Sequence, residues 1–209
     1  MEWHITDAQS LRLIDQEIGD HTFSQAEYEI VRRAIYATAD FDYKELIQFS
    51  GQALQAGAAA LAARTTIIVD APIVQVGIIP TLQQTFSNPV YCSTDALTRP
   101  QREKTQAAWG VETLAQRYPE AIFVVGQSQT ALLSLIGLIE AEKIRPSLIL
   151  GTPANFLGID HLSIRLQNTL VPYIRTSGRK GNAVVAIALL EGLIDLSWQA
   201  YGREGQGFH

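Results

Sequence analysis

Five short apolar runs alternate with longer segments of helical character, and this alternation constrains the fold more than any other feature of the chain. The runs are apolar almost throughout, which is typical of parallel strands that are buried on both faces of a sheet. Strands and helices that alternate in this way form βαβ crossovers. We therefore predict a three-layer α/β fold around an open sheet of five parallel strands. The predicted strands are Thr66–Asp70, Val90–Thr94, Ala121–Gly126, Ser147–Gly151 and Pro172–Thr176.

The residues before the first strand read as helical throughout and form an N-terminal extension of the predicted sheet. A first helix begins near Thr6 and ends at Gly19, which favours a helix stop. Ser24 and Glu27 have the spacing of a capping box and predict the start of a second helix. Leu46–Ala63 reads as a third helix.

The length of 209 residues and the hydrophobic content of 47% favour one domain spanning residues 1–209. Residues 198–209 are polar and glycine-rich and predict a flexible, frayed tail or, less commonly, an arm over a partner. The net charge of −5 argues against broad binding of nucleic acid or of an acidic membrane. The first residues lack a signal-peptide pattern, and no stretch approaches a membrane-spanning length, so we expect a cytoplasmic protein. Cys92 is the only cysteine, which excludes an intrachain disulfide.

Three turns that follow predicted strands are candidate binding sites, because ligands of open parallel sheets lie beyond the carboxyl ends of the strands. Gly126–Leu132 and Gly151–Gly158 supply glycine and hydroxyl groups near helix starts, where free backbone amides accept anions. Ser177–Asn182 places two cations before an apolar helix. We interpret this last turn as a site for a carboxylate or phosphate rather than as a merely solvated turn. Nucleotide-binding glycine patterns are absent, so phosphoryl or hydride transfer has weak support.

Two further polar residues near these turns have more than one interpretation. Asp70 either caps the helix after the first strand, which is the more common role, or faces a ligand. His161 is more typical of a cap or a surface residue than of a catalytic group. Since no histidine pair or carboxylate cluster has the spacing of metal ligands, the sequence predicts no metal site.

The order of these motifs along the chain resembles the precorrin-8X methylmutase family, or precorrin isomerases, of cobalamin biosynthesis. The resemblance extends from about Thr6 to Leu196. It is carried by Ser10, the helix Val31-Arg-Arg-Ala-Ile-Tyr-Ala37, Asp70, Lys104-Thr105, Gly126-Gln-Ser-Gln-Thr-Ala-Leu132, Gly151-Thr-Pro-Ala-Asn-Phe-Leu-Gly158 and Gly178-Arg-Lys-Gly181.

This resemblance implies a flavodoxin-like α/β/α sandwich, a homodimer and an intramolecular methyl transfer from C11 to C12 of a corrinoid ring. The product would be hydrogenobyrinate, or cobyrinate when the substrate already contains cobalt. The resemblance implies no cofactor, and cobalt would enter only as part of the substrate. The macrocycle is apolar at its centre and carries carboxylates around its rim, so its site would need cations and hydroxyl groups around an apolar floor.

The family's functional positions can be carried over to this sequence one at a time. Tyr36 stands where the family keeps its catalytic histidine, one helical turn from Arg33, so that both should lie on one face. Gln106 stands where the family usually has arginine, and Asn155 replaces a glycine. The expected substrate contacts are Ser10, Arg33, Thr105, Gln106, Gly126, Thr130, Gly151, Arg179, Lys180 and Gly181.

Three functions remain open at this point. The first is a methylmutase in which Tyr36 donates a hydrogen bond. Because a phenol has a pKa of about 10 against about 6.5 for imidazolium, we expect a preference for a cobalt-containing substrate, whose metal already occupies the ring nitrogens. The second is a corrinoid-binding carrier or sensor without isomerase activity. The third is an unrelated flavodoxin-like domain that binds a flavin or nucleotide.

Overall fold

The computed structural model describes residues 5–96, 103–157 and 159–202, and within these ranges it contains six strands and nine α-helices. The strands are β1 (Ile47–Phe49), β2 (Ile67–Val69), β3 (Val90–Cys92), β4 (Ile122–Val125), β5 (Leu148–Gly151) and β6 (Tyr173–Thr176). The helices are α1 (Ile5–Glu17), α2 (Gln25–Thr38), α3 (Tyr43–Leu46), α4 (Ala53–Ala62), α5 (Pro72–Gln83), α6 (Gln106–Arg117), α7 (Gln129–Glu140), α8 (Ile159–Gln167) and α9 (Ala183–Tyr201).

The strands form one sheet in the order β1-β6-β5-β4-β2-β3. All five predicted strands are confirmed, and β2 to β6 pair in parallel. The prediction of a five-stranded, wholly parallel sheet is nevertheless wrong, because β1 pairs antiparallel with β6 at one edge. This strand lies within the predicted third helix, Leu46–Ala63, of which only the part from Ala53 onward is helical. Its pairing partner is distant in the sequence, so the local pattern did not indicate it.

Helices cover both faces of the sheet, as the apolar strands require. The alternation of side chains in β2 illustrates this arrangement, because Ile67 and Val69 belong to one buried cluster and Ile68 to the other. The first cluster packs under α4, α5 and α9, and the second under α6, α7 and α8. Helix α2 packs on α9 from outside, and α1 packs on α2. The three-layer α/β prediction is therefore confirmed.

The two N-terminal helices have the boundaries that their capping residues favour. The Ser24 hydroxyl accepts from the Glu27 amide at 3.3 Å, and the Glu27 carboxylate accepts from the Ser24 amide at 2.9 Å. This reciprocal pair is the predicted capping box. Gly19 follows α1 with a φ of 65°, a left-handed conformation that costs glycine little.

Helix α9 is longer than the sequence predicted. It continues to Tyr201, and Trp198 packs edge-on against Phe86 with 5.0 Å between the ring centroids. The predicted tail therefore does not begin at residue 198, and residues 203–209 lie outside the described part of the chain. By length and composition α9 could cross a membrane, so the expectation that no stretch approaches a membrane-spanning length is wrong. However, 61% of its most apolar 18-residue segment is buried inside the protein. That burial is typical of a core helix.

The order of the strands places a crevice between the carboxyl ends of β2 and β4. The chain leaves β2 for β3 on one side and then returns to β4 on the other side. A reversal of this kind is where open α/β sheets bind ligands. The predicted binding turns follow β4, β5 and β6, so they lie along the same edge of the sheet as this crevice.

Candidate functional site at the carboxyl edge of the sheet

Asp70 fills the centre of the crevice. Its carboxylate accepts hydrogen bonds from the backbone amides of Gly126 at 2.9 Å, Gln127 at 2.8 Å and Ser128 at 2.5 Å. The side chain is buried, and α5 begins after Ala71 without a side-chain cap. The capping role considered for Asp70 is therefore wrong, because α5 has no side-chain cap, while the ligand-facing role remains a prediction. It supplies the anion for the turn after β4.

This arrangement bears on how the turn after β4 can bind a ligand. The expectation that its three amides are free is wrong, because all three donate to Asp70. A phosphate placed there would have to displace a buried carboxylate and would be repelled by it. Within the described residues, the crevice therefore offers no amide nest for the phosphate of a flavin or nucleotide.

Exposed hydroxyl groups surround the occupied turn. The Oγ1 atoms of Thr105 and Thr130 lie 2.7 Å apart, and Ser128 Oγ lies 3.0 Å from Thr130 Oγ1. Thr105 also caps α6 by accepting from the Ala108 amide. Gln106 donates to the carbonyl of Thr94 at 2.7 Å. The structure thus brings Thr105, Gln106 and Thr130 together beside the turn after β4, where hydroxyl groups can donate to a carboxylate.

Three glycines at this edge are there because neighbouring groups approach the backbone closely. A Cβ at Gly126 would lie 2.8 Å from the Ala186 Cβ of α9. A Cβ at Gly181 would collide with the carbonyl oxygen of Thr152, and one at Gly151 would meet Leu132 Cδ2 at 3.1 Å. These glycines let the turns after β4, β5 and β6 pack against their neighbours.

The turn after β6 contains one neutralised cation and one exposed cation. Lys180 Nζ lies 2.7 Å from Asp40 Oδ2 and 2.6 Å from Asp42 Oδ2. These bonds raise the pKa of Lys180, and the bond from Lys180 holds the pKa of the Asp40 carboxyl below its usual value. The side chain of Arg179 is exposed and forms no ion pair with any described residue. Arg179 can therefore bind an anion directly, whereas Lys180 must first exchange a partner.

Tyr36 and Ser10 line one hollow of about 290 Å³ between α1 and the end of α2. The phenol of Tyr36 donates to Asp7 Oδ1 at 2.8 Å, and its side chain is 38% exposed. Ser10 Oγ donates to the carbonyl of Thr6 at 3.0 Å. The hydrogen bond to Asp7 raises the pKa of Tyr36, since a carboxylate acceptor favours the neutral phenol.

Arg33 borders a different hollow from Tyr36. Its Nη2 lies 2.5 Å from Asp195 Oδ2, and both residues line a hollow of about 410 Å³ between α2 and α9. Arg33 and Tyr36 are one helical turn apart, as expected, but they line different hollows.

A larger hollow of about 700 Å³ opens at the opposite end of the strands, beside Pro119 and Val171, and none of the expected site residues lines it.

Sequence reasoning missed Arg175, a buried cation near the end of β6. Its side chain is only 3% exposed, and its Nη2 donates to Gln48 Oε1 of β1 at 2.6 Å. The available signal was a charged residue within the apolar run Pro172–Thr176.

The side chain of His161 lies outside the described part of the chain. The described residues contain no group of three His, Cys, Asp or Glu side chains placed to hold a metal ion.

A mostly parallel sheet with polar turns along its carboxyl edge is the arrangement of α/β proteins whose small-molecule sites lie at that edge. The model of the precorrin-8X methylmutase family matches residues 6–196, and the chain belongs to this family. Its members are isomerases of cobalamin biosynthesis.

Individual relatives agree with this assignment. The chain is 36% identical to a cobalt-precorrin-8 methylmutase of Synechocystis sp. over 94% of its own length and 95% of the relative's. It is also 36% identical to a cobalt-precorrin-8 methylmutase of Leptospira interrogans, over 90% and 91% of the two chains. A solved precorrin-8X methylmutase from Thermus thermophilus superposes with a TM-score of 0.84 at 36% identity and covers 94% of this chain and 99% of that one. The family resemblance is thus confirmed, while the replacement of a catalytic histidine by Tyr36 remains a prediction.

Proposed function

We propose that this protein is a methylmutase that moves a methyl group from C11 to C12 of a precorrin-8 ring and prefers cobalt-precorrin-8 to the metal-free precorrin-8X. The observation that carries the proposal is the family match across residues 6–196. The preference for cobalt is supported by the names of two relatives at 36% identity, both cobalt-precorrin-8 methylmutases, whereas the Thermus thermophilus protein at the same identity is named a precorrin-8X methylmutase. By comparison, a relative named precorrin-8X methylmutase, from Pseudomonas aeruginosa, is less similar to the chain, with 30% identity over 77% of the chain's length.

In the proposed mechanism, groups along the carboxyl edge hold the rim of the macrocycle. Arg179 pairs with one rim carboxylate, and the hydroxyl groups of Thr105 and Thr130 donate to another. Lys180 contributes after a substrate carboxylate replaces Asp40 or Asp42. Orientation of the ring and stabilisation of developing charge by these fixed groups supply most of the catalysis.

Tyr36 acts in this mechanism as a hydrogen-bond donor rather than as an acid. Its pKa is raised by Asp7, so the phenol stays neutral through the physiological range. A metal that already occupies the ring nitrogens and withdraws charge leaves less for a proton donor to do. The weak acidity of Tyr36 therefore favours the cobalt-containing substrate on chemical grounds.

We infer a homodimer as part of the same proposal. Ile73 and Val76 of α5 are 54% and 70% exposed, and Val184 of the adjacent helix α9 is 42% exposed. Apolar side chains grouped on neighbouring helices are typical of a subunit interface.

The order of the parallel strands supports a flavodoxin-like fold as part of the proposal. Without β1, the strand order 3-2-4-5-6 corresponds to the order 2-1-3-4-5 of flavodoxin-like sheets. The single free cysteine, Cys92, supports a cytoplasmic location.

Incubation of the purified protein with cobalt-precorrin-8 and, separately, with precorrin-8X tests the proposal. We expect the absorption spectrum to change to that of cobyrinate or hydrogenobyrinate, and to change faster with the cobalt-containing substrate. Equal or faster turnover of precorrin-8X would remove the cobalt preference. If the protein neither binds nor converts either compound, the proposed function is overturned.

One observation favours the carrier alternative, in which the protein binds a corrinoid without converting it. The proton of Tyr36 is held by Asp7, and that hydrogen bond makes the phenol a weaker acid than free tyrosine. Tight binding of both substrates with no spectral conversion over many hours would establish the carrier function in place of the isomerase.

A further inference from the structure

Arg175 carries a buried positive charge that no described residue balances. Its Nη2 donates to Gln48 Oε1, but its Nε and Nη1 atoms have no hydrogen-bond partner in the part of the chain that the structure describes. No described carboxylate forms an ion pair with it. The ring of Tyr173 lies 5.8 Å from Arg175 Cζ, which is a cation–π contact and not a counter-charge.

An unpaired buried cation is unfavourable for folding. Burial lowers the pKa of Arg175, yet a guanidinium remains protonated at any physiological pH, so the charge cannot be shed as a lysine could shed it. Buried charges in proteins are normally paired, because the lost hydration is not recovered otherwise. Donors left unused in this way indicate that an acceptor from outside the chain completes the site.

Arg175 lines a small cavity near the carboxyl ends of β5 and β6. Arg175, Asn155 and Thr176 supply its polar lining, and Gly151 and Leu162 close it on the apolar side. Its volume of about 10 Å³ holds about one water molecule. The cavity is therefore too small for a carboxylate group while the turn after β5 stays where it is.

The turn after β5, residues 152–157, contributes Pro153 and Asn155 to the lining of this cavity. It is held by a side chain of α7 and by the turn after β6, where the carbonyl of Arg179 accepts from the Asn155 backbone amide at 3.2 Å. Gln129 Nε2 donates to Asn155 Oδ1 at 2.6 Å and also to the carbonyl of Leu157. Phe156 and Leu157 at the tip of the turn are 71% and 79% exposed. Release of the Gln129 contacts, together with the bond from the Asn155 amide to Arg179, would let Asn155 move away and connect the cavity with the edge that carries Arg179.

We propose that Arg175 is the buried half of a carboxylate-binding site beneath residues 152–157, and that a rim carboxylate of the corrinoid enters it when the turn opens. The inference rests on the proposed function for the identity of the ligand. The carboxylate would accept from the free nitrogens of Arg175 and from the side-chain Nδ2 of Asn155. The ligand would thereby balance the charge that the free protein leaves unpaired.

The first test uses acetate, the smallest carboxylate that can stand in for the rim group. Thermal midpoints are measured in sodium acetate and in sodium chloride at equal ionic strength for the wild type, Arg175→Met and Arg145→Met. Arg145 is an exposed arginine at the opposite end of the strands and is the matched control. We expect acetate to raise the midpoint of the wild type and of Arg145→Met by a few degrees more than it raises that of Arg175→Met. Equal shifts in all three proteins would mean that the cavity holds water only, and would overturn the proposal.

The second test measures hydrogenobyrinate binding by absorbance titration. Loss of one charged hydrogen-bonding partner should weaken binding of Arg175→Met by about 10- to 100-fold. Arg145→Met should bind within about twofold of the wild type. Because the cost of burying an unpaired charge exceeds the gain from the bond to Gln48 and the contact with Tyr173, the midpoint of Arg175→Met in chloride should equal or exceed that of the wild type. A much lower midpoint with unchanged affinity would assign Arg175 a purely structural role and overturn the proposal.

The two tests separate this inference from the proposed function. If the wild type binds no corrinoid but acetate still stabilises it selectively over Arg175→Met, the proposed function fails and the carboxylate site stands. If corrinoid is bound equally by both proteins, the function stands and the site fails. Should Arg175→Met not fold, Arg175→Lys replaces it, because lysine keeps the charge but loses the planar donor array, and an intermediate loss of affinity is then expected.

Discussion

The hydroxyl of Tyr36 is exposed at a hollow that also contains Ser10, and its proton is shared with Asp7. This hydrogen bond affects what the phenol can do, because it raises the pKa of Tyr36 and keeps the group neutral. Substitutions of Tyr36 and of Asp7 therefore examine different parts of the proposed role, and both belong to the scale of single residues.

Replacement of Tyr36 should change turnover in opposite directions according to the new side chain. Tyr36→Phe removes a neutral hydrogen bond and should lower kcat about 3- to 10-fold. Tyr36→His introduces an acid with a pKa near physiological pH and should raise kcat by up to about 10²-fold. Initial rates at saturating cobalt-precorrin-8 measure both effects. Tyr91→Phe, which removes the hydroxyl of an exposed tyrosine of β3, is the control, and wild-type turnover by Tyr36→Phe would contradict the assignment.

Replacement of Asp7 by asparagine should lower the pKa of Tyr36 towards its ordinary value of about 10. The carboxylate raises the pKa of Tyr36, so its contribution to folding stability is complete below pH 10 and is lost as the pH rises through the folded-state pKa. A tyrosinate absorbance titration of Asp7→Asn, compared with the same variant carrying Tyr36→Phe, isolates the relevant group. Asp20→Asn on the exposed segment after α1 is the control. A titration of Tyr36 that is the same in Asp7→Asn and the wild type would show that Asp7 does not control it.

At this scale the sequence predicted local partners well and distant partners poorly. Ser24 and Glu27 are three residues apart, and their capping box was predictable from spacing alone. Asp70 bonds to amides 56 to 58 residues away, and the partner of Arg33 is 162 residues away. Spacing along the chain carries no information on such pairs, because the packing of the sheet and of α9 decides which groups meet.

The turn between β4 and α7 is the element whose conformation depends most directly on one side chain. Asp70→Asn keeps the size of the side chain but places an amide nitrogen where a backbone donor now finds an oxygen. Because hydrogen bonds to a charged group contribute about 1.5 to 3 kcal/mol and the site is buried, we expect a loss of about 2 to 4 kcal/mol in the free energy of unfolding.

Urea denaturation measures the effect of Asp70→Asn. Asp95→Asn, which alters an exposed aspartate close to the end of β3, is the matched control and should change the free energy of unfolding by less than about 0.5 kcal/mol. An Asp70→Asn protein as stable as the wild type would show that the turn does not depend on the carboxylate.

Among the elements, the parallel strands were predictable and the antiparallel one was not. Strands β2 to β6 are short apolar runs between helices, which is the signal of strands buried on both faces. Strand β1 has only three residues, includes the polar Gln48 and lies at an edge, so its conformation comes from pairing with β6. Edge strand β3 is equally short but lies in an apolar run, Val90–Thr94, whereas β1 lies in a segment with a helical pattern, so propensity and periodicity did not indicate it.

At the scale of the whole molecule, the exposed side chains of α5 and α9 determine whether two copies associate. Val76→Glu places a charge on the proposed interface and should convert a dimer into a monomer without loss of folding, because Val76 is 70% exposed in one copy. Light scattering during size-exclusion chromatography measures the mass. Leu170→Glu alters a 97% exposed leucine at the opposite end of the strands and should leave the mass unchanged. A Val76→Glu protein that remains dimeric would locate the interface elsewhere.

The carboxylate of Asp70 has a consequence for how the protein behaves among the metabolites of a cell. The three backbone amides of the crevice already donate to the Asp70 carboxylate, so they are not available to inorganic phosphate, sugar phosphates or nucleotides. Abundant small anions are thereby prevented from acting as competitive inhibitors at the place where related folds attract them. A scarce macrocyclic intermediate can then be captured at low concentration in their presence.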